Sequence, residues 1–208
     1  MQTDRDRAAL LSRLSAVPIT HRRRLIALAG PPASGKSTLA HDLAQDIPDS
    51  CVVPMDGFHI DNAVLQDRQL LDRKGAPETF DIAGFSHLLS RLRQEEEVLY
   101  PVFDRARDCA IAGAGLVKAQ TTTVIVEGNY LLLDHDDWRV VTTTWDFSVY
   151  LSVPFPVLRD RLMQRWHLHG LSPEQARQKV DGNDLPNAVT TAEHLVAPDL
   201  ILRDDPAE

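Results

Sequence analysis

The sequence predicts an α/β fold, a parallel sheet flanked by helices. Three features predict it: short unbroken apolar runs, a glycine-bearing loop directly after the first run, and helical periodicities that alternate with the runs. Unbroken runs mark strands covered on both faces, and such strands belong to parallel sheets. With 208 residues, 43% of them apolar, the chain has enough material for one full core. The expected organisation is one domain over residues 1–208.

In order along the chain, Leu10, Leu11 and Leu14 suggest a short leading helix. Leu25-Ile26-Ala27-Leu28-Ala29 is the first strand, stopping at Gly30, and the basic cluster Arg22 to Arg24 before it reads as a solvated flank. Leu39, Ala40, Leu43 and Ala44 give Ser37 to Gln45 helical spacing. Cys51 to Met55 is a second strand, and Pro54, which has no N–H for a ladder, marks its end or a sheet edge. Phe85, Leu88, Leu89 and Leu92 fall at i, i+3, i+4 and i+7, an amphipathic helix with Arg91 and Arg93 outward. Thr123 to Val126 is a buried strand closed by Glu127-Gly128, and Trp145 to Val153 is another, with Phe147, Val149 and Leu151 alternating. Pro156 to His169 carries Leu158, Leu162 and Trp166 on one helix face and leaves Arg159, Arg161 and Arg165 on others. Ser172-Pro173-Glu174-Gln175 opens a further helix with a capping box and a proline at its first position. Leu200 to Leu202 supplies a last strand.

Composition narrows the partners. A formal net charge of −8 and a pI near 5.4 repel a polyanionic backbone, so no nucleic-acid partner is expected. Cys51 and Cys109 have no metal-type spacing, which fits a reducing cytoplasm. No signal-peptide core and no apolar run of about 18 residues occurs, so neither secretion nor membrane insertion is expected.

Gly30-Pro31-Pro32-Ala33-Ser34-Gly35-Lys36-Ser37 matches G-x-x-x-x-G-K-[ST], with a strand before it and a helix after it, the context a phosphate loop needs. Glycines let the chain wrap so that backbone N–H groups point at phosphate oxygens, and the helix N-terminus adds partial positive charge. Gly30, Ala33, Ser34, Gly35, Lys36, Ser37 and Thr38 are therefore the candidate ATP-binding residues. Lys36 would reach the β and γ phosphates, and the Ser37 hydroxyl would serve Mg2+.

The motif leaves open whether water or a substrate hydroxyl accepts the phosphoryl group. The N-K-x-D of guanine-specific GTPases and the L-S-G-G-Q of ABC ATPases are missing; Asp81-Ile82-Ala83-Gly84 only mimics a D-x-x-G. Asp56 and Glu127 both end strands, where ligands bind in open α/β sheets. Asp56 is the candidate base, since a loose phosphoryl-transfer transition state asks mainly for positioning; capping an Asp-Gly turn is its bland alternative. Glu127 would hold magnesium or a substrate hydroxyl, or stand solvated. Arg161 and Arg165 suit forked phosphate contacts, and a solvated helix face explains them equally well.

On these residues, and on Met55 to His59, Lys74 to Asp81, Tyr100 to Arg105 and Val126 to Leu131, the chain resembles a known family. It is that of the P-loop kinases including uridine kinase, phosphoribulokinase and bacterial pantothenate kinase, and within it the proteins labelled fructose transport system kinase. The resemblance implies a P-loop NTPase-type fold with an Arg-bearing lid, about residues 159–187 with the following helix. It implies Asp56 as base, Glu127 as the acidic strand end, and Asp81, Tyr100, Phe103, Asp104 and Arg105 around the acceptor. Asp56-Gly57-Phe58-His59 departs from the D-S-F-Y of nucleoside kinases towards the D-G-F of pantothenate kinase. His59 then either bonds a sugar or carboxylate or is structural, and Asn183, Asp184 and Asn187 either approach adenine or form a turn-rich loop. The expectation is a Mg-ATP-dependent kinase acting on a hydroxyl of a small molecule, first a fructose-type sugar. A uridine- or pantothenate-type kinase and a nucleotide-switched regulatory NTPase are the rivals, and a homodimer stays open.

Overall fold

The computed structural model describes residues 4–135 and 137–204. In chain order its first elements are α1 (Asp4–Ala16), β1 (Arg24–Ala29), α2 (Lys36–Asp46), β2 (Ser50–Pro54), α3 (Asn62–Asp67) and α4 (Ile82–Gln94). A hairpin of β3 (Val98–Asp104) and β4 (Cys109–Val117) follows, then β5 (Thr123–Gly128), α5 (Arg139–Thr142) and β6 (Phe147–Ser152). The chain closes with α6 (Phe155–Leu168), α7 (Pro173–Lys179), α8 (Leu185–Glu193) and β7 (Leu200–Arg203).

The apolar runs pair into one parallel sheet in the order β2-β5-β1-β6-β7. Every residue of β1 and β5 is buried, as unbroken runs require of doubly covered strands. Ile26, Leu28, Ile125, Val149 and Leu151 meet α1 and α2 through Leu10, Leu14, Ala40 and Leu43, so the leading helix is part of the core. Leu25, Ala27, Val124 and Val126 point the other way, against Phe85, Leu88, Leu89 and Leu92 of α4 and the rings of Tyr130 and Trp138.

Register positions the strand ends that matter. Glu127 stands opposite Leu28 of β1 on one side and Pro54 of β2 on the other. The phosphate loop and Asp56 each begin two residues beyond those partners, so three polar segments emerge side by side at the carboxyl edge of the sheet.

The basic flank expected to be solvated is buried at Arg23 and Arg24. Arg23 is completely buried and Arg24 nearly so. The Arg23 guanidinium donates to the carbonyls of Leu92 (2.9 Å), Glu95 (2.7 Å) and Lys118 (3.1 Å), and to that of Glu96. Those carbonyls belong to the end of α4, the residues entering β3 and the residue leaving β4. Burial lowers the basicity of Arg23, and neighbouring Arg22 lowers it further. Arg24 likewise donates to Thr123 Oγ1 (2.7 Å) and the Val17 carbonyl (2.8 Å). Arg93, expected to face outward, is folded back onto Asp146 at 3.0 Å.

The β3–β4 hairpin, α3, α5, the turn after α7 and α8 lay outside the expectation. The β3–β4 hairpin carries Pro101 within a strand, and the register shift between Tyr100 and Val102 lets the ladder pass it without needing its N–H. The stretch for which a turn-rich loop was one of two readings is a π-helical turn, Val180–Asp184, joining α7 to α8; Asn183 of the turn and Asn187 of α8 are both buried. The capping box at Ser172 and Gln175 is present.

Candidate active site

The phosphate loop leaves β1 and closes on α2. Gly35 sits at φ +90, a left-handed conformation that a side chain resists, directly before Lys36. Ala33 shares the left-handed region at φ +62. At the other end of the loop, a Cβ on Gly30 would meet Ser34 Oγ at 2.8 Å and the Leu151 carbonyl at 3.0 Å. Ser34 is buried, and its Oγ has no hydrogen-bond partner among the described residues. Among the described residues no side chain caps the α2 N-terminus, so its first N–H groups and partial positive charge are available to an anion.

A cleft of about 980 Å³ opens from this loop along the carboxyl edge of the sheet. Ala33, Gly35, Lys36, Ser37, Thr38, Asp56, Glu127 and Arg165 all line it. Burial pushes the Lys36 ammonium below the ordinary lysine range, while Glu127 and Asp56 pull it back. Burial pushes the Glu127 carboxyl up, against the opposing pull of Lys36 and of a side-chain hydrogen bond with Ser37. The two residues expected at magnesium both line this cleft, and both offer the hard oxygen donors that this ion prefers. Asp56 Oδ2 accepts from Arg105 Nη2 at 2.8 Å.

Further along the cleft the wall turns aromatic and basic. The His59 ring lies between Phe80 (4.1 Å between centroids) and Phe103 (4.7 Å). Its Nδ1 is buried without a hydrogen-bond partner among the described residues. Burial lowers its pKa to about 4, with Asp56 opposing and Lys74 adding to the shift. Lys74 Nζ donates to Asn62 Oδ1 (2.6 Å) and the Asp108 carbonyl (2.8 Å), pairs with Asp108 Oδ1 (3.0 Å), and stands 5.1 Å from the centre of the Phe103 ring. The backbone here is held at two successive carbonyls. Asn183 Nδ2 donates to the Lys74 carbonyl (2.9 Å), and the Tyr130 hydroxyl donates to that of Gly75 (2.6 Å). Lys74 lay inside a segment shared with the family, but no role followed from it; Asn62 and Asp108 gave no sequence signal at all.

Several expected residues have other positions. Asp81 caps α4 by accepting from the Gly84 N–H (2.9 Å) and lies outside the cleft lining. The Tyr100 hydroxyl donates to the Val52 carbonyl (3.2 Å), inside the hairpin–sheet contact. Asp104 accepts from the N–H groups of Ala106 (3.0 Å) and Arg107 (3.1 Å), shaping the hairpin turn. Arg161 is paired with Asp204 at 2.6 Å, outside the cleft. Phe103, Arg105 and His59 do line it. Between α6 and the segment after α7, Trp166 Nε1 donates to Asp184 Oδ2 (2.6 Å), and the Lys179 ammonium stands 4.7 Å from that ring. Pro31 faces a separate, smaller cavity of about 240 Å³, lined by Tyr150, Val153, Leu158 and Ile201 among others.

Gly57 has a steric reason. A Cβ there would lie 2.0 Å from the Pro101 carbonyl oxygen, because β3 presses on the 3-10 turn Met55–Phe58. The departure from D-S-F-Y therefore reflects the seat of the hairpin.

No family model matches the chain. It is 39% identical over 188 residues to "Uncharacterized protein YggC" of Escherichia coli K12, covering 86% of this chain and 77% of that one. It is 32% identical over 203 residues to "Putative uridine kinase C227.14" of Schizosaccharomyces pombe, covering 89% and 85%. The crystal structure of a "putative fructose transport system kinase" from Silicibacter sp. TM1040 superposes with a TM-score of 0.90 at 48% identity, covering 94% of this chain and 98% of the other. A parallel sheet with this loop at its edge and these relatives defines an ATP-dependent P-loop kinase, a phosphotransferase with an alcohol acceptor. Within that class the chain belongs to the family of uridine kinase- and pantothenate kinase-like proteins. No helix among the described residues is long and apolar enough to cross a membrane.

Proposed function

We propose that the chain transfers the γ-phosphoryl group of Mg-ATP to a hydroxyl of a sugar or similar polyol, with Asp56 as the base. The observation that carries this reading is the continuity of one cleft, from Lys36 and Ser37 past Asp56 and Glu127 to Asn62, His59 and Lys74. Lys36 and the α2 N-terminus hold the β and γ phosphates, and Arg165, half-buried on the facing wall, closes over them. Ser37 and Glu127 would hold magnesium, which when bound would offset the charge of the phosphate oxygens. Asp56 orients the acceptor hydroxyl and takes its proton as the oxygen bonds to phosphorus. His59, uncharged at neutral pH, and Asn62 are hydrogen-bonding groups suited to neighbouring hydroxyls. Residues 159–187 form the lid, within one kinase domain over residues 1–208.

A fructose-type sugar is the first candidate, from the name of the Silicibacter relative. A coupled ADP-release screen over hydroxylated metabolites, with mass detection of the phosphorylated product, tests it. ADP release above the acceptor-free rate with a sugar or polyol is expected. Turnover confined to nucleosides or to pantothenate refutes the acceptor class, and a slow rate indifferent to every acceptor makes the chain a nucleotide-switched hydrolase.

A further inference from the structure

The Asp56–Arg105 pair joins the proposed base to a residue of the acceptor-side hairpin. Arg105 is the first residue of the turn between β3 and β4, and that turn is fixed at both ends. Asp104 ties down the N–H groups of Ala106 and Arg107 at one end. At the other, Asp108 accepts from Asn62 Nδ2 (2.8 Å) and pairs with Lys74 (3.0 Å). From this anchored turn the Arg105 guanidinium reaches Asp56 Oδ2 at 2.8 Å, with 53% of its side chain still exposed. An ion pair so open to water is weak and readily exchanged. Arg165 and Lys36 face the same space. Burial lowers the basicity of Arg165 and the charge of Arg105 lowers it further; Lys36, depressed chiefly by burial, is also pushed down by both arginines. Once an acceptor hydroxyl occupies Asp56, phosphoryl oxygens among these cations would offer Arg105 a second anionic partner.

We infer that Arg105 is a positioning residue that withholds Asp56 from water until an acceptor hydroxyl takes its place on the carboxylate. This rests on the reading of Asp56 as base. The reaction it suppresses is hydrolysis. A water oxygen bonds to the γ-phosphorus and the bond from that phosphorus to the departing ADP oxygen breaks. The water proton passes to Asp56 and from there to the released phosphate. When acceptor binds, Arg105 leaves Asp56 for the phosphoryl oxygens, and the carboxylate turns to the hydroxyl.

The test needs no knowledge of the acceptor. Phosphate release from Mg-ATP without acceptor is measured for the wild type, Arg105→Ala, Arg105→Lys, Asp56→Asn and the double variant Asp56→Asn/Arg105→Ala, with thermal unfolding as a check on folding. Removing an exposed ion pair of about 1 kcal/mol corresponds to about a fivefold rise in hydrolysis for Arg105→Ala. Arg105→Lys, which keeps the charge and loses the fork, should fall between it and the wild type. The double variant should lose the rise. Hydrolysis by Arg105→Ala at or below the wild-type rate overturns the inference, as does a rise that survives in the double variant. If Arg105→Ala does not fold, Arg105→Lys decides: raised hydrolysis supports the guard and wild-type hydrolysis refutes it. The reading of Asp56 as base fails separately, if Asp56→Asn alone leaves transfer to the true acceptor unchanged.

Discussion

Replacing His59 with phenylalanine should remove a pH-dependent weakness from the fold. The imidazole is held between Phe80 and Phe103, its pKa lowered by burial from 6.5 to about 4. As pH falls through about 6.5, the unfolded chain takes up a proton that the folded chain refuses, so stability declines down to about pH 4 and levels off below. At about 1.4 kcal/mol per pH unit, the interval from 6.5 to 4 amounts to about 3 kcal/mol, a large part of a typical domain's stability. Phenylalanine keeps the ring stack and carries no proton. It also removes the unpartnered Nδ1, so the variant should already be more stable at neutral pH. The assay is urea unfolding followed by tryptophan fluorescence, for wild type and His59→Phe in parallel, between about pH 7.5 and about pH 4.5. Carboxylates that titrate in both proteins cancel in the difference. The advantage of the variant should widen by most of that 3 kcal/mol on acidification; a constant difference across the range would refute the reasoning.

Lys36→Ala should lose both nucleotide binding, measured by calorimetry, and phosphoryl transfer, since the ammonium lies at the phosphate end of the cleft. Asp56→Asn should keep ATP affinity while turnover with the true acceptor drops by about 10² or more; unchanged turnover would remove Asp56 from the mechanism. Gly57→Ala forces a Cβ to within 2.0 Å of the Pro101 carbonyl oxygen, so urea unfolding should show a loss of about 1–3 kcal/mol. A wild-type denaturation midpoint for that variant would mean that the hairpin yields at no cost.

The sheet and the phosphate end were legible because their signals are local. An unbroken apolar run, a glycine loop and a helix start identify β1, the loop and α2 without long-range knowledge, and the strand ends at Asp56 and Glu127 follow from the same logic. The acceptor side was not, because the hairpin is built from exceptions. Pro101 sits where the ladder shifts register, and β4 is a run of small residues with Gly113 and Gly115 inside it. Asp81, Asp104 and Tyr100 have the polar groups of ligand-binding residues, but those groups are spent on a helix cap, a turn and a backbone carbonyl. Arg161 and Arg165 were indistinguishable one turn apart, and only the location of Asp204 separates them. The burial of Arg23 was invisible because its partners are carbonyls, which every residue type presents alike.

A joint made of carbonyls leaves the acceptor side of such a protein room to vary. The guanidinium of Arg23 gathers α4 and both ends of the hairpin through backbone oxygens alone, so the joint makes no demand on which side chains the hairpin carries. Exposed hairpin side chains such as Leu99 and Leu116 can therefore change without touching that joint. The molecule thus divides into a chassis, where phosphate is handled, and a hairpin whose stem is held by a clasp that reads backbone and not side chains.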